Sequence, residues 1–177
     1  TIPSGVSLAP GGGLTLTGAL AVDGGTVKLD GNYPTGTDNV ALGDTALDSV
    51  EAGGTNNVAI GDNAGTAITT GDNNTAVGKD ALKATTTSAN NTAIGSCALD
   101  ANTTGSSNTA VGRNSLGSNI DAVFNTAVGH NSLATNSTGD NNTGIGYNAL
   151  VSNTTASNNT SVGFCSLYAN TTASCNT

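Results

Sequence analysis

The sequence predicts an all-β protein, a parallel β-solenoid (β-roll) of about eight 17-residue coils. Three observations lead to this fold class. A phrase of the form Asn-Thr-Ala-Val-Gly returns eight times, its copies are 18 residues apart once and then 17 residues apart, and the stretches between copies are rich in Asn, Thr and Gly. A strict period in this range, sustained over most of a chain, is typical of stacked-coil architectures.

The repeat has a small set of near-constant positions, which we number from its anchor asparagine. Position 4 is aliphatic, position 5 is Gly, position 8 is Ala or Ser, and position 9 is Leu except at Gly65. The first two copies begin at Asn39 and Asn57. The predicted structural anchors of the six later copies are Asn74, Gly78, Leu82, Asn91, Gly95, Leu99, Asn108, Gly112, Leu116, Asn125, Gly129, Leu133, Asn142, Gly146, Leu150, Asn159, Gly163 and Leu167.

Each coil is predicted to contain two short strands and two turns. Asn-Thr-Ala-Val has the length and alternation of a strand, and the Gly at position 5 ends it at a bend where a side chain does not fit or φ is positive. The Ala/Ser-Leu pair is expected to begin the second strand, and a run such as Asn-Thr-Thr-Gly to form the second turn. A helix is disfavoured because Gly recurs in every copy and no apolar i, i+4 stripe exists.

The composition predicts a narrow interior lined by Ala, Val, Ile and Leu. The chain has no Met or Trp, only five Phe and Tyr together, and 25 Gly. Both sides of the Asn-Thr-Ala-Val-Gly strand carry small or apolar residues, so one can fill the roll while the other packs against neighbouring chains, and the sequence leaves open which is which. Because so thin a roll buries few large side chains, we expect it to associate.

Two segments are predicted. Residues 1–37 do not follow the 17-residue register, and two strand-like stretches, 14–17 and 26–29, flank a turn signal at 23–25. We interpret them as a short-strand cap or lead-in, followed by the repeat array at 38–177, which continues or is truncated at its C-terminus. The longer first interval should form a bulged turn between Glu51 and Asn56. A first residue other than Met suggests a processed chain or a fragment.

Charge and composition exclude several function classes. Twelve acidic residues against four Lys and Arg give a net charge of −8, which disfavours nucleic acid as a partner. No apolar run is long enough to cross a membrane. The one histidine, His130, occupies variable position 6, and the acidic residues keep no fixed position, so we expect no enzyme, no metal site and no cofactor. Cys97 and Cys165 share a repeat position four coils apart and cannot form a disulfide within one chain.

Asparagine and aromatic residues need separate interpretations. Eight Asn-x-Thr sequons could be glycosylated in a eukaryotic secretory pathway, but the repeat's own turn chemistry explains them better. The anchor asparagines are expected to form a stacked amide ladder. Exposed aromatic residues are candidates for partner contact, with gap-filling at a chain interface as the alternative. These residues are Phe124, Phe164 and Tyr168.

The phrase Asn91–Gly95, reading Asn-Thr-Ala-Ile-Gly and followed by Ala98 and Leu99, resembles the head repeats of trimeric autotransporter adhesins of the YadA type. It resembles still more closely the related repeats of phage and viral tail fibres. The resemblance covers roughly residues 38–177 and implies a left-handed parallel β-roll assembled as a homotrimer. YadA heads usually repeat at a shorter period, and no neck or membrane anchor is readable here; the shorter period favours the fibre relatives.

Two functions are therefore expected from different classes. The favoured one is a structural fibre or stalk segment on a virion or cell surface, which spaces and presents an attachment tip. Its partners would be its own copies, neighbouring fibre or virion proteins, and a host-surface glycan or protein. The alternative is a module that binds a repetitive ligand such as ice or glycan. Threonines at position 2 that point outward in flat ranks would favour ice, and threonines that are buried or at a chain interface would favour the fibre.

Overall fold

The computed structural model describes residues 37–177, so the predicted N-terminal segment lies outside the described residues except for Thr37. The described chain forms one eight-stranded parallel sheet in which each strand pairs with the next along the chain. The strands are β1 (Val40–Leu42), β2 (Val58–Ile60), β3 (Thr75–Val77), β4 (Thr92–Ile94), β5 (Thr109–Val111), β6 (Thr126–Val128), β7 (Thr143–Ile145) and β8 (Thr160–Val162).

The register follows the repeat without slippage. Between β4 and β5, Thr92 pairs with Thr109 and Ile94 with Val111, and the other strand pairs match position by position in the same way. No helix occurs among the described residues. The predicted fold class, an all-β parallel solenoid with coils of about 17 residues, is confirmed.

The prediction of two strands per coil is wrong, because each coil contains one strand of three residues. The Ala/Ser-Leu pair lies in a turn, and the position-9 leucines have φ between 48° and 52°. This left-handed conformation reverses the chain, and it lets the Leu116 N–H donate to the Ser132 carbonyl of the next coil at 3.0 Å. The second half of each coil is thus held by turn-to-turn hydrogen bonds and not by a second sheet.

The predicted interior also needs correction, because the aliphatic residues at position 4 point outward. Ala93 and Leu99 are fully buried, whereas Ile94 is 41% exposed. In a strand, neighbouring side chains point to opposite faces, so positions 1 and 3 fill the roll and positions 2 and 4 face away from it. Ala, Leu and Asn line most of the interior, joined near the beginning of the array by Val50 and Ile68.

Buried asparagines run along the whole array. The Asn91 side-chain oxygen accepts the backbone N–H of Asn108 in the next coil at 2.9 Å, and its amide nitrogen donates to the Gly105 carbonyl at 2.9 Å. The predicted anchor ladder is confirmed. A second ladder occupies position 12, where the Asn153 amide donates to the Asn136 side-chain oxygen at 2.8 Å. Both ladders give buried amides partners that a narrow roll without water must supply.

Position 5 requires glycine for both predicted reasons. Its φ lies between 130° and 140° in all eight coils, a region that residues with a side chain rarely adopt. A Cβ atom added to Gly112 would also lie 2.4 Å from the Gly129 carbonyl oxygen. Consecutive coils therefore touch backbone to backbone at this bend.

The extra residue of the first interval forms a turn, as predicted. The Gly54 N–H donates to the Glu51 carbonyl at 3.0 Å. The Asn39 amide bonds the Gly54 carbonyl, as the Asn57 amide bonds that of Gly71 one coil later. Gly54 is therefore the structural equivalent of Gly71, and the additional residue lies within 52–53.

Candidate functional site: the outward face of the strands

The eight parallel strands present one continuous outward surface, which we call the strand face. It consists of two ranks of side chains, one from position 2 and one from position 4, with neighbouring strands about 4.8 Å apart. The position-2 rank is Val40, Val58, Thr75, Thr92, Thr109, Thr126, Thr143 and Thr160. The position-4 rank is Leu42, Ile60, Val77, Ile94, Val111, Val128, Ile145 and Val162.

The strand face is uncharged over its whole length, although the chain has a net charge of −8. Several of its aliphatic side chains are well exposed, among them Leu42 at 46%, Ile94 at 41% and Val162 at 66%. Monomeric soluble proteins rarely leave a contiguous apolar surface of this kind uncovered. The arrangement is that of a binding surface.

The threonine hydroxyls on the strand face have no partner among the described residues, in contrast to those of another rank. At position 13, Thr103 Oγ1 donates to the Ile120 carbonyl at 3.0 Å, and Thr154 Oγ1 to the Thr171 carbonyl at 3.1 Å. No comparable bond is made by the hydroxyl of Thr92 or Thr109. The position-2 hydroxyls are thus available to a ligand or another chain at every coil from β3 to β8.

Position 6, just past the bend, forms an axial chain of side-chain contacts. Lys79 pairs with Asp62, and this hydrogen bond is the main reason why the lysine pKa is raised. Further along, Arg113 Nη1 lies 3.2 Å from His130 Nε2. The His130 and Tyr147 rings stack at 5.5 Å between centroids. Position 6 is at the surface, as predicted, but its residues interact from coil to coil.

The aromatic candidates for partner contact are exposed but do not form one site. Phe164 is 77% exposed and stacks on Tyr147 with 5.1 Å between centroids. Phe124 and Tyr168, which are 62% and 50% exposed, belong to other turns of their coils. Only Phe164 lies in the axial chain of position 6.

The sequons separate into two structural classes. Asn102, Asn136 and Asn153 are fully buried and bonded within the position-12 ladder. Four others lie at the exposed position 17 with φ of 57–62°, namely Asn73, Asn90, Asn141 and Asn158. Left-handed φ values favour Asn over most residues, so the second class is also explained by turn geometry.

Among residues 37–177, no group of three or more His, Cys, Asp or Glu side chains is placed to hold a metal ion. The three cysteines in that range are free. Two carboxyl groups are perturbed in opposite directions. A hydrogen bond from Asn63 lowers the pKa of Asp80, and burial raises that of Asp100.

No helix in the described part of the chain could span a membrane.

No protein-family model matches the chain, and neither a curated protein nor a solved structure matches it. Functional assignment therefore depends on the residues themselves. Sequence reasoning identified the position-2 threonines but could not orient them. The available signal was the anchor asparagine, because an invariant amide paired from coil to coil belongs on the buried side.

Proposed function

We propose that the chain is a structural segment of a virion tail fibre or surface adhesin, in which copies associate through their strand faces as a parallel homotrimer. The observation that supports this most directly is the uncharged, aliphatic strand face on an otherwise acidic molecule. Packing such faces against one another removes the exposed side chains of position 4 from water. The left-handed roll of the resembled family belongs to the same proposal.

A parallel arrangement suits the periodicity of this face. In a parallel trimer about an axis along the solenoid, each position meets its own copies, so threonines meet threonines and aliphatic residues meet aliphatic residues. The anchor ladder and the backbone contacts at position 5 repeat in every coil, which favours a straight, stiff rod. Seven steps of about 4.8 Å make that rod about 34 Å long. It would space and present an attachment tip at a virion or cell surface.

A second candidate function is favoured by one specific observation, the free hydroxyls of the six consecutive threonines from Thr75 to Thr160. They point outward in a rank, which is the condition set above for binding a repetitive ligand such as ice. Threonine offers a hydroxyl and a methyl group together, and both can order water. The strand face would then be occupied by a crystal surface and not by neighbouring chains.

The two candidates are separated by placing a charge on the strand face. Ala110 is fully buried inside the roll, so an aspartate there would test folding only. Thr109→Asp would place three carboxylates at one level of a parallel trimer, which is strongly unfavourable. Thr104→Asp is the control, because Thr104 is exposed at position 14, away from the strand face.

Light-scattering mass is the measurement. The proposal predicts three times 17.0 kDa for the wild type and for Thr104→Asp, and a lower mass for Thr109→Asp. A wild type of 17.0 kDa would contradict the trimer. If that monomer adsorbed to ice and Thr109→Asp did not, the second candidate would replace the first.

A further inference from the structure

One turn of the array departs from the repeat. Residues 120–124 read Ile-Asp-Ala-Val-Phe where the two flanking coils have Thr-Thr-Gly-Ser-Ser and Ser-Thr-Gly-Asp-Asn. Ile120 is 48% exposed and Phe124 is 62% exposed. Two large apolar side chains thus lie on the outside of a turn that is otherwise polar, and neither contributes to the interior of the roll.

Phe124 adopts a backbone conformation that its residue type disfavours. Its φ is 58°, and at the same position Asn90 and Asn141 have φ of 62° and 57°. Asparagine tolerates the left-handed region, whereas a bulky side chain there is an outlier. The fold would be served better by asparagine, so the phenylalanine needs a reason other than folding.

The amide ladders are incomplete on both sides of this turn. The Asn119 side-chain oxygen and the Asn125 amide nitrogen are buried without a hydrogen-bonding partner. In the neighbouring coils the equivalent groups are bonded: the Asn108 amide donates to Ala122 at 2.8 Å, and the Asn142 amide to Ala156 at 2.8 Å. Unsatisfied buried groups are rare in native proteins and often mark places where function outweighs stability.

The side of the roll that contains this turn is acidic. Positions 12 to 17 of the described coils include no Lys or Arg, and their acidic residues are Glu51, Asp72, Asp121 and Asp140. Asp140 accepts the Val123 backbone N–H at 2.8 Å, so it is fixed at the turn. Asp121 is exposed, and its carboxylate has no partner among the described residues. A second copy docked turn to turn would bring these carboxylates together, which disfavours self-association here.

We propose that Ile120, Asp121 and Phe124, the coil-5 patch, form a docking site for a protein segment that presents an aliphatic side chain beside a Lys or Arg. The apolar side chains would cover the partner's aliphatic residue, and Asp121 would pair with its cation. The site occurs once per chain, at a fixed level of the rod. It is separate from the strand face and does not depend on the trimer.

A labelled synthetic peptide of alternating Leu and Lys is the probe, and its fluorescence anisotropy reports binding to the full chain. The double variant Ile120→Thr/Phe124→Asn restores the residues typical of the repeat. We expect at least a tenfold loss of affinity in this variant, and none in Phe164→Ser, which removes an equally exposed aromatic side chain elsewhere. Equal affinity for wild type and double variant would overturn the proposal, as would equally tight binding of a Ser/Lys peptide, which offers charge alone.

Asp121→Thr supplies a second binding test. It should reduce the salt dependence of Leu/Lys peptide binding, because the proposed ion pair is removed. An unchanged salt dependence would contradict the role of Asp121.

Stability distinguishes docking from gap-filling. Phe124→Asn alone should raise the unfolding temperature or leave it unchanged, because asparagine suits the left-handed conformation. A clear decrease would show that Phe124 stabilises the turn, and the docking role would fail. A wild-type mass that rises with concentration only when the patch is intact would assign the patch to a second copy and likewise overturn the proposed partner.

Discussion

The side-chain oxygen of Asn108 accepts the backbone N–H of Asn125 at 2.9 Å, which binds each coil to the next from within the roll. The Asn108 amide nitrogen at the same time donates to the Ala122 carbonyl at 2.8 Å and closes its own coil. One buried side chain therefore fixes both the stacking of coils and the closure of a coil. This double role explains why the anchor asparagine recurs in every copy.

Removal of this amide should be costly. Asn108→Ala leaves a buried N–H and a buried carbonyl without partners, and we expect a loss of about 2–4 kcal/mol in the free energy of unfolding. Thr104→Ala is the control, because that side chain is exposed and should change stability by no more than about 0.5 kcal/mol. Denaturant unfolding measures both, and a small loss in Asn108→Ala would contradict the structural role of the ladder.

Two glycines at position 5 separate backbone strain from crowding. Gly112 and Gly163 have φ of 137° and 132°, but an added Cβ would lie 2.4 Å from the Gly129 oxygen in the first case and 3.7 Å from Ser166 Cβ in the second. Gly163→Ala should cost about 1–3 kcal/mol through strain alone. Gly112→Ala should cost more, and Gly112→Val more still, in thermal unfolding.

Arg113→Ala, at the exposed neighbouring position, should have little effect on the same thermal transition. Equal losses in Gly112→Ala and Gly163→Ala would mean that contact between coils does not explain the glycine.

The second coil contains a compensating pair inside the roll. A Cβ added to Gly65 would lie 3.0 Å from Ile68 Cδ1 and 3.2 Å from Leu47 Cδ2, so Ile68 occupies the space that leucine fills elsewhere. Gly65→Leu should therefore overpack the interior at a cost of about 1–3 kcal/mol. The double variant Gly65→Leu/Ile68→Thr reproduces the Leu82 and Thr85 pair of the next coil and should recover stability.

A double-mutant cycle from denaturant unfolding measures this coupling between Gly65 and Ile68. We expect a favourable coupling of about 1 kcal/mol or more. Additive losses would show that the two positions do not share space.

The buried carboxyl of Asp100 predicts a pH effect. Burial raises its pKa in the folded state, so folding favours the neutral form. The resulting penalty is absent below the unfolded value of about 3.9 and develops as pH rises through the raised folded pKa. Asp100→Asn should therefore raise the unfolding temperature at pH 7 and leave it nearly unchanged near pH 3.

Asp80→Asn provides the opposite case, because the hydrogen bond from Asn63 lowers the pKa of Asp80. Its ionised form stabilises the fold above the unfolded pKa, and that stabilisation disappears as pH falls through the lowered value. Asp80→Asn should lower the unfolding temperature at pH 7. The same direction of change in both variants would contradict the assigned causes.

The sequence was sufficient to predict the solenoid, its register, the anchor ladder and the glycine bend, because each is a consequence of strict repetition. The orientation of the strand was not predictable from alternation, since Thr and Val on one side and Asn and Ala on the other are all small or moderately apolar. The left-handed leucines were missed because residue type rarely reveals φ. Gly65 at a leucine position was the signal that could have indicated them.

The coil-5 patch was noticed in the sequence as an apolar interruption, but its strain could not be inferred. Only the backbone shows that Phe124 has the φ of an asparagine position, and only the ladders show that Asn119 and Asn125 lack partners. Such local conflicts depend on coordinates because they are relations between neighbouring coils.

The central claim is that the strand face is covered in the native protein, and cysteine alkylation tests it most directly. A single cysteine would be introduced as Ile94→Cys, or as Thr104→Cys for the control, after Cys97, Cys165 and Cys175 are replaced by Ser. Both sites are exposed on the isolated chain. Alkylation rates would be followed by mass spectrometry under native conditions. We predict at least tenfold slower alkylation at position 94 than at position 104, whereas equal rates would contradict association through the strand face.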